Sequence, residues 1–115
     1  MGCAKMNKYN AKKHIIYGVN FSSIKEAKRY CELCILLKAG EIKSLQLQVP
    51  FELAPAVKFD DEQRKKPALR YFADFVYFDK VGNKIVEDVK GFETKEFRIK
   101  RHLMVTVHGI QVKIV

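Results

Sequence analysis

Two acidic residues and a lysine stand where an ordinary core would not tolerate them. Asp74 lies inside Tyr71-Phe72-Ala73-Asp74-Phe75-Val76-Tyr77-Phe78, a run otherwise aromatic and aliphatic. Ionised carboxylates are rarely buried unless they are paired, hydrogen-bonded or bound to metal. Downstream, Ile85-Val86-Glu87-Asp88-Val89-Lys90-Gly91 carries Asp88 and Lys90 two apart. Side chains two apart in a strand share a face and lie about 6.6–6.8 Å apart along its axis. If the two strands are neighbours and both aspartates point to one face, their carboxylates repel unless a divalent cation neutralises them. Mg2+ suits such a pair, because it takes hard oxygen ligands and keeps several waters. A cation so held polarises a phosphate, lowers the pKa of a bound water and stabilises a leaving oxyanion. Lys90 would orient the attacking water or offset charge growing on the phosphate. Together these residues read as a metal-dependent phosphodiesterase centre. Each has a plainer reading: Asp74 as a buried carboxylate bonded to backbone N–H groups, Asp88-Val89-Lys90 as a chance acid-x-Lys on an exposed face.

Those residues need elements to hold them. A helical pattern runs from about residue 23 to 38, with Ser22 as the expected N-cap and Gly40 as the stop. Ala27, Tyr30, Leu33, Cys34 and Leu37 form its apolar stripe, and Glu26 falls inside that stripe as a third inward-looking acid. The plainer reading leaves Glu26 wet and favourable to the helix dipole. Residues 42–53 alternate as a half-buried strand, with Pro50 suggesting an edge. Residues 54–68 form a charged connection, read as a loop or as a continued strand pair with a mobile tip. Residues 69–78 are apolar on both faces and predict a central strand. Asp79-Lys80-Val81-Gly82-Asn83 supplies a turn, and residues 84–90 its hairpin partner. Thr94 can cap a second helix through about Val107, with Phe97, Ile99, Leu103, Met104 and Val107 on an apolar arc. Residues 110–115 alternate as a last strand. The order is helix, three strands, helix, strand, and the fold class is α/β, a mixed central sheet flanked by helices.

Length and charge bound the function. A chain of 115 residues with 48% hydrophobic content predicts one folded domain, residues 21–115, behind a basic N-terminal arm, residues 1–20. A net charge of +9 favours a polyanionic partner, with nucleic acid the leading candidate. Lys95, Arg98 and Arg101 on the second helix, with Lys12, Lys13 and the Arg64-Lys65-Lys66 tip, could bracket a duplex. Lys100 projects from the apolar arc, either toward the scissile phosphate or merely past the core edge. Contacts of this kind fix position on phosphates and carry little sequence information, so binding is expected to follow DNA shape and to weaken with salt. Cys31 and Cys34, three apart, are expected to pack as thiols rather than to hold zinc, and His14, His102 and His108 form no ligand set. No apolar stretch approaches a membrane span and no secretory signal is visible, so a cytoplasmic location is expected.

The segments Phe21-Ser22-Ser23-x-x-Glu26-Ala27, Tyr71-x-Ala73-Asp74-Phe75 and Glu87-Asp88-Val89-Lys90-Gly91 resemble the PD-(D/E)xK nucleases of restriction-endonuclease-like fold. Within that group the chain is most similar to a small phage and prophage endonuclease family. It also resembles Holliday-junction resolvases and very-short-patch-repair nicking enzymes. The resemblance implies a Mg2+-dependent DNA endonuclease, with Mn2+ able to substitute, acting on branched or recombination intermediates. It implies Asp74 and Asp88 as metal ligands, Lys90 as the catalytic lysine and Glu26 as the helix acid. Gln48 matches a strand glutamine near the site of some relatives, and its plainer reading is a solvent-facing strand residue. Ala73 replaces the proline of the motif name. Glu87 beside Asp88 leaves a register ambiguity, decided toward Asp88 by its spacing to Lys90. A homodimer would let two copies cut both strands. The rival expectations are a nucleic-acid-binding module without turnover and a basic interaction protein of a phage replication or packaging complex.

Overall fold

The computed structural model describes residues 14–16 and 18–115. The elements are β1 (His14–Ile16), β2 (Val19–Phe21), α1 (Ile24–Lys38), β3 (Ile42–Ala54), β4 (Leu69–Asp79), β5 (Lys84–Asp88), α2 (Lys95–His108) and β6 (Val112–Ile114). The fold is mixed α/β. β1 and β2 form a two-stranded sheet, and a second sheet has the order β3-β4-β5-β6. β5 and β6 are parallel, with Val86 opposite Val112, Glu87 opposite Lys113 and Asp88 opposite Ile114. The described residues fall into two compact units. One comprises those through Leu45 with Tyr77–Lys84, and the other Gln46–Val76 with Ile85–Val115.

In the first unit β1 and β2 pair antiparallel, Ile16 opposite Val19, around Gly18 at φ 79°. The extended piece expected at residues 14–17 is thus a strand from His14 to Ile16, and it gains a partner the sequence did not suggest. Lys12, Lys13 and Tyr17 lie outside the described residues. The N-cap of α1 is Ser23, not Ser22: its side chain accepts the Glu26 N–H at 3.1 Å. Reading from Ser23 gives Ser-x-x-Glu, the capping-box spacing that the Ser22 frame missed by one residue. The Ser22 hydroxyl instead donates to Glu26 Oε1 at 3.1 Å. Ala27 and Leu33 hold the middle of the expected stripe in the core, whereas Leu37 in the last turn is exposed. Cys31 is disulfide-bonded and Cys34 is a free, half-buried thiol, so the expectation of two packed thiols fails at Cys31. Tyr30 tilts against Phe21 with ring centroids 5.0 Å apart. The β4–β5 turn closes on Asp79, whose Oδ1 accepts the N–H groups of Val81 at 3.0 Å and Asn83 at 2.8 Å.

In the second unit α2 is the crossover that two parallel strands require. It begins at Thr94, whose hydroxyl accepts the Phe97 N–H, and ends at Gly109 in the left-handed conformation (φ 68°). Both ends match the sequence expectation. The buried face of α2 is narrower than expected: Phe97 and Met104 enter the core, but Ile99 is 61% exposed and Val107 is exposed too. Residues 97 and 104 sit seven apart on one stripe, while Ile99 is about 200° round from Phe97. The core joins Phe97 and Met104 to Leu53, Tyr71, Ala73, Val76, Val86 and Val112. Burying each large side chain stabilises by roughly 1.5–3 kcal/mol. Ala73 and Val76 are three apart yet belong to one cluster, so strict alternation lapses across Asp74 and Phe75. At the far end of α2, His108 Nε2 donates to the Glu52 carbonyl at 2.7 Å, tying the helix to β3. In the charged connection Val57 and Lys66 form one antiparallel bridge, so the strand pair continues a short way beyond β3 and β4.

Candidate functional site

Asp74, Asp88 and Lys90 come together where β5 stops. Asp88 is the last residue of β5 and its side chain is buried, 3% exposed. Its Oδ1 accepts the Tyr71 hydroxyl at 2.9 Å. Lys90 Nζ lies 3.0 Å from its Oδ2, with the lysine side chain 30% exposed. That ammonium compensates charge but stands outside hydrogen-bonding geometry, so Oδ2 is buried without a directed donor. The distance establishes the ion pair and the angles deny it the rank of a hydrogen bond. Lys90 itself lies beyond the end of the strand. Its main chain is pinned by β6, since Val115 donates to the Asp88 carbonyl at 3.0 Å and Lys90 N–H reaches the Val115 carbonyl at 3.4 Å. Its ammonium also sits 4.5 Å from the Phe97 ring centroid, a cation–π arrangement that steadies the side chain.

Asp74 joins this group through the backbone. Its Oδ2 accepts the Val89 N–H at 2.8 Å, the amide linking Asp88 to Val89. Its Oδ1 accepts Gln48 Nε2 at 3.1 Å. The plainer reading of Asp74, a carboxylate tied to backbone N–H, therefore holds for one oxygen. Gln48 adopts a left-handed backbone at φ 50°, uncommon for a residue other than glycine, asparagine or aspartate. Such conformations recur at functional sites. Its amide is directed at Asp74.

Glu87 is fully buried, and alternation along β5 turns it to the face opposite Asp88. Asp88 contacts both Lys90 and Tyr71. Glu26 belongs to the first unit. It is 8% exposed there and takes the Ser22 hydroxyl, in the first turn of α1.

Sequence reasoning missed Tyr71 as a site residue. The sequence presents it as a strand aromatic within the Tyr71-x-Ala73-Asp74-Phe75 segment, although a buried tyrosine hydroxyl usually finds a partner, here Asp88. Burial foremost, then the charge of Asp88 and its hydrogen bond, push the Tyr71 hydroxyl far above its ordinary range. The hydroxyl therefore stays a donor. Asp74 pushes the same way and the positive charge of Arg101 opposes it.

The basic residues of α2 divide. Arg98, Arg101 and His102 line a concavity of about 410 Å³ with Glu93, Val105 and Gln111. Lys100 pairs with Glu96 at 3.0 Å one turn away. Lys95 is exposed at the first turn.

Among the described residues no group of three or more His, Cys, Asp or Glu is gathered as a protein-only cage. Asp74 and Asp88 offer two carboxylates, one with a buried oxygen lacking a directed donor. Mg2+ is commonly held by one or two carboxylates with waters completing its octahedron, so the residues present fit that ion. Among the described residues no helix is long and apolar enough to cross a membrane. No curated protein and no solved structure matches this chain. A family model described as a protein of unknown function, DUF1064, matches residues 6–114, and the chain belongs to that family.

Proposed function

We propose that this chain is a Mg2+-dependent DNA endonuclease of the PD-(D/E)xK type, with a restriction-endonuclease-like core and a preference for branched DNA. One observation carries the reading. Asp88 Oδ2 is a buried carboxylate oxygen with no hydrogen-bond partner among the described residues, faced by an ammonium 3.0 Å away and beside a second carboxylate on the next strand. Stability alone gives little reason for such an arrangement, because a buried ion pair is often no better than apolar packing.

Asp74 and Asp88 would hold the ion, and Tyr71 and Gln48 would hold Asp74 and Asp88. A hard divalent cation there supplies an activated water and a Lewis acid for the phosphoryl oxygen. Lys90, now against Asp88, would place its ammonium to offset charge growing on the phosphate. Lys95, Arg98 and Arg101 would seat neighbouring phosphates, and Lys100 could exchange Glu96 for one. Glu26 enters from the sequence as a third carboxylate. If Glu26→Gln folds and cleaves like the wild type, that part of the reading is removed. Two copies cutting opposite strands would make a homodimer the working form.

A second reading has its own support: without any cation, Lys90 neutralises Asp88 and both Asp74 oxygens are bonded, as expected of a binding module without turnover. One experiment separates the two. Labelled linear, nicked, flap and four-way DNA are incubated with the protein and either Mg2+ or EDTA, alongside Asp88→Ala. The nuclease cuts with Mg2+ only and loses cutting in the variant. DNA bound equally by both proteins and never cut would establish the binding module.

A further inference from the structure

The two oxygens of Asp88 are held unequally. Oδ1 takes the Tyr71 hydroxyl at 2.9 Å, and Oδ2 has no directed donor. The phenol cannot easily turn away. Tyr71 is 4% exposed, belongs to the core and lies 6.3 Å, centroid to centroid, from the Phe97 ring. Releasing its hydroxyl to a cation at Oδ1 would leave a buried phenol without a partner, which is costly. The hydrogen bond occupies one lone pair of Oδ1, weakens that oxygen as a ligand and fixes the plane of the carboxylate, so a cation is met chiefly by Oδ2. Ions differ in what they make of that. Ca2+ takes six to eight oxygens and readily accepts a carboxylate through both, whereas Mg2+ demands near-octahedral geometry from single oxygens.

We infer that Tyr71 is a specificity-determining residue for the cation: by holding Asp88 Oδ1 it biases the carboxylate toward ligation through Oδ2 alone and favours Mg2+ over Ca2+. The inference rests on the proposed role of Asp88 as a ligand and adds a determinant of which ion is taken. Gln48 makes the parallel contact at Asp74, but from an exposed position, so its hold is weaker. Tyr71 acts through Asp88 and touches neither DNA nor the reacting atoms.

The test is calorimetric titration of the full chain with MgCl2 or CaCl2 alone, without DNA, for wild type, Tyr71→Phe and Asp88→Asn. Loss of an outer partner of a metal ligand typically costs about 10–100-fold in affinity. The wild type is expected to prefer Mg2+. In Tyr71→Phe the Kd ratio of Ca2+ to Mg2+ is expected to fall at least about tenfold, on that same scale. An unchanged ratio, even with both ions weakened, is what a merely structural tyrosine gives and overturns the inference while the metal centre stands. Magnesium binding that survives unaltered in Asp88→Asn overturns both the inference and the proposed centre. Should Tyr71→Phe fail to fold, NMR of the unmutated protein decides. A slowly exchanging Tyr71 hydroxyl proton must persist on saturation with Mg2+, and its loss overturns the inference.

Discussion

Asp88→Asn isolates charge from shape at the centre of the proposal. The amide keeps the carboxylate's size, so Tyr71 can still donate to Oδ1. Two effects on the metal-free protein oppose one another. Lys90 loses its counter-ion, and breaking a fully buried pair costs about 3–5 kcal/mol. The lysine side chain is 30% exposed, however, so water recovers much of that cost and an exposed pair is worth only about 0–1 kcal/mol. Repulsion between the carboxylates of Asp74 and Asp88 is relieved at the same time. The net loss is expected to be about 1 kcal/mol, or roughly 4–8 °C in Tm for a unit of this size. The response to Mg2+ is the sharper measurement. A ligand at ten times its Kd stabilises by about 1.4 kcal/mol, so the wild-type Tm should rise by roughly 5–11 °C. Asp88→Asn should show no such rise. Differential scanning calorimetry with and without Mg2+, at constant ionic strength, reads both quantities. An equal Mg2+-induced rise in the two proteins would refute the assignment of Asp88 as a ligand.

Other expectations follow from single contacts. Thr94→Ala removes the acceptor of the Phe97 N–H and should cost about 1 kcal/mol in urea denaturation with the m-value unchanged. Arg98→Ala and Arg101→Ala should each weaken DNA binding across sequences and lower the slope of log K against log salt by about one. Affinity that holds at high salt would remove the phosphate role of α2. Asp79 has its pKa lowered from 3.8, chiefly by the backbone N–H of Asn83. A depressed carboxyl adds stability that is complete above the unfolded pKa and is lost as pH falls through the lower folded value. Asp79→Ala should therefore be less stable than wild type at neutral pH, and the gap should close in acid below pH 3.8.

Much of the scaffold was legible in the chain. Alternation located β3, a run apolar on both faces located β4, and the turn at residues 79–83 located β5, because each of these signals lies within a short stretch of chain. Thr94 marked the start of α2 because capping chemistry is local. Locality also explains a miss: two serines stand side by side before α1, and choosing Ser23 over Ser22 needed the backbone angles that only the folded chain supplies. The β1–β2 hairpin went unseen because three-residue strands carry too little pattern.

The site divides in the same way. The sequence determined that Asp74, Asp88 and Lys90 are chemically out of place, since residue type and strand period are properties of single segments. It also determined the positive charge of α2. Only the tertiary structure decided that the Val89 amide would bind Asp74, that Ile99 would face solvent, and that Tyr71, in the lapse of alternation around Asp74, would pin Asp88. Those are contacts between strands and between sheet and helix, and their geometry depends on twist, register and irregularities that no single segment encodes.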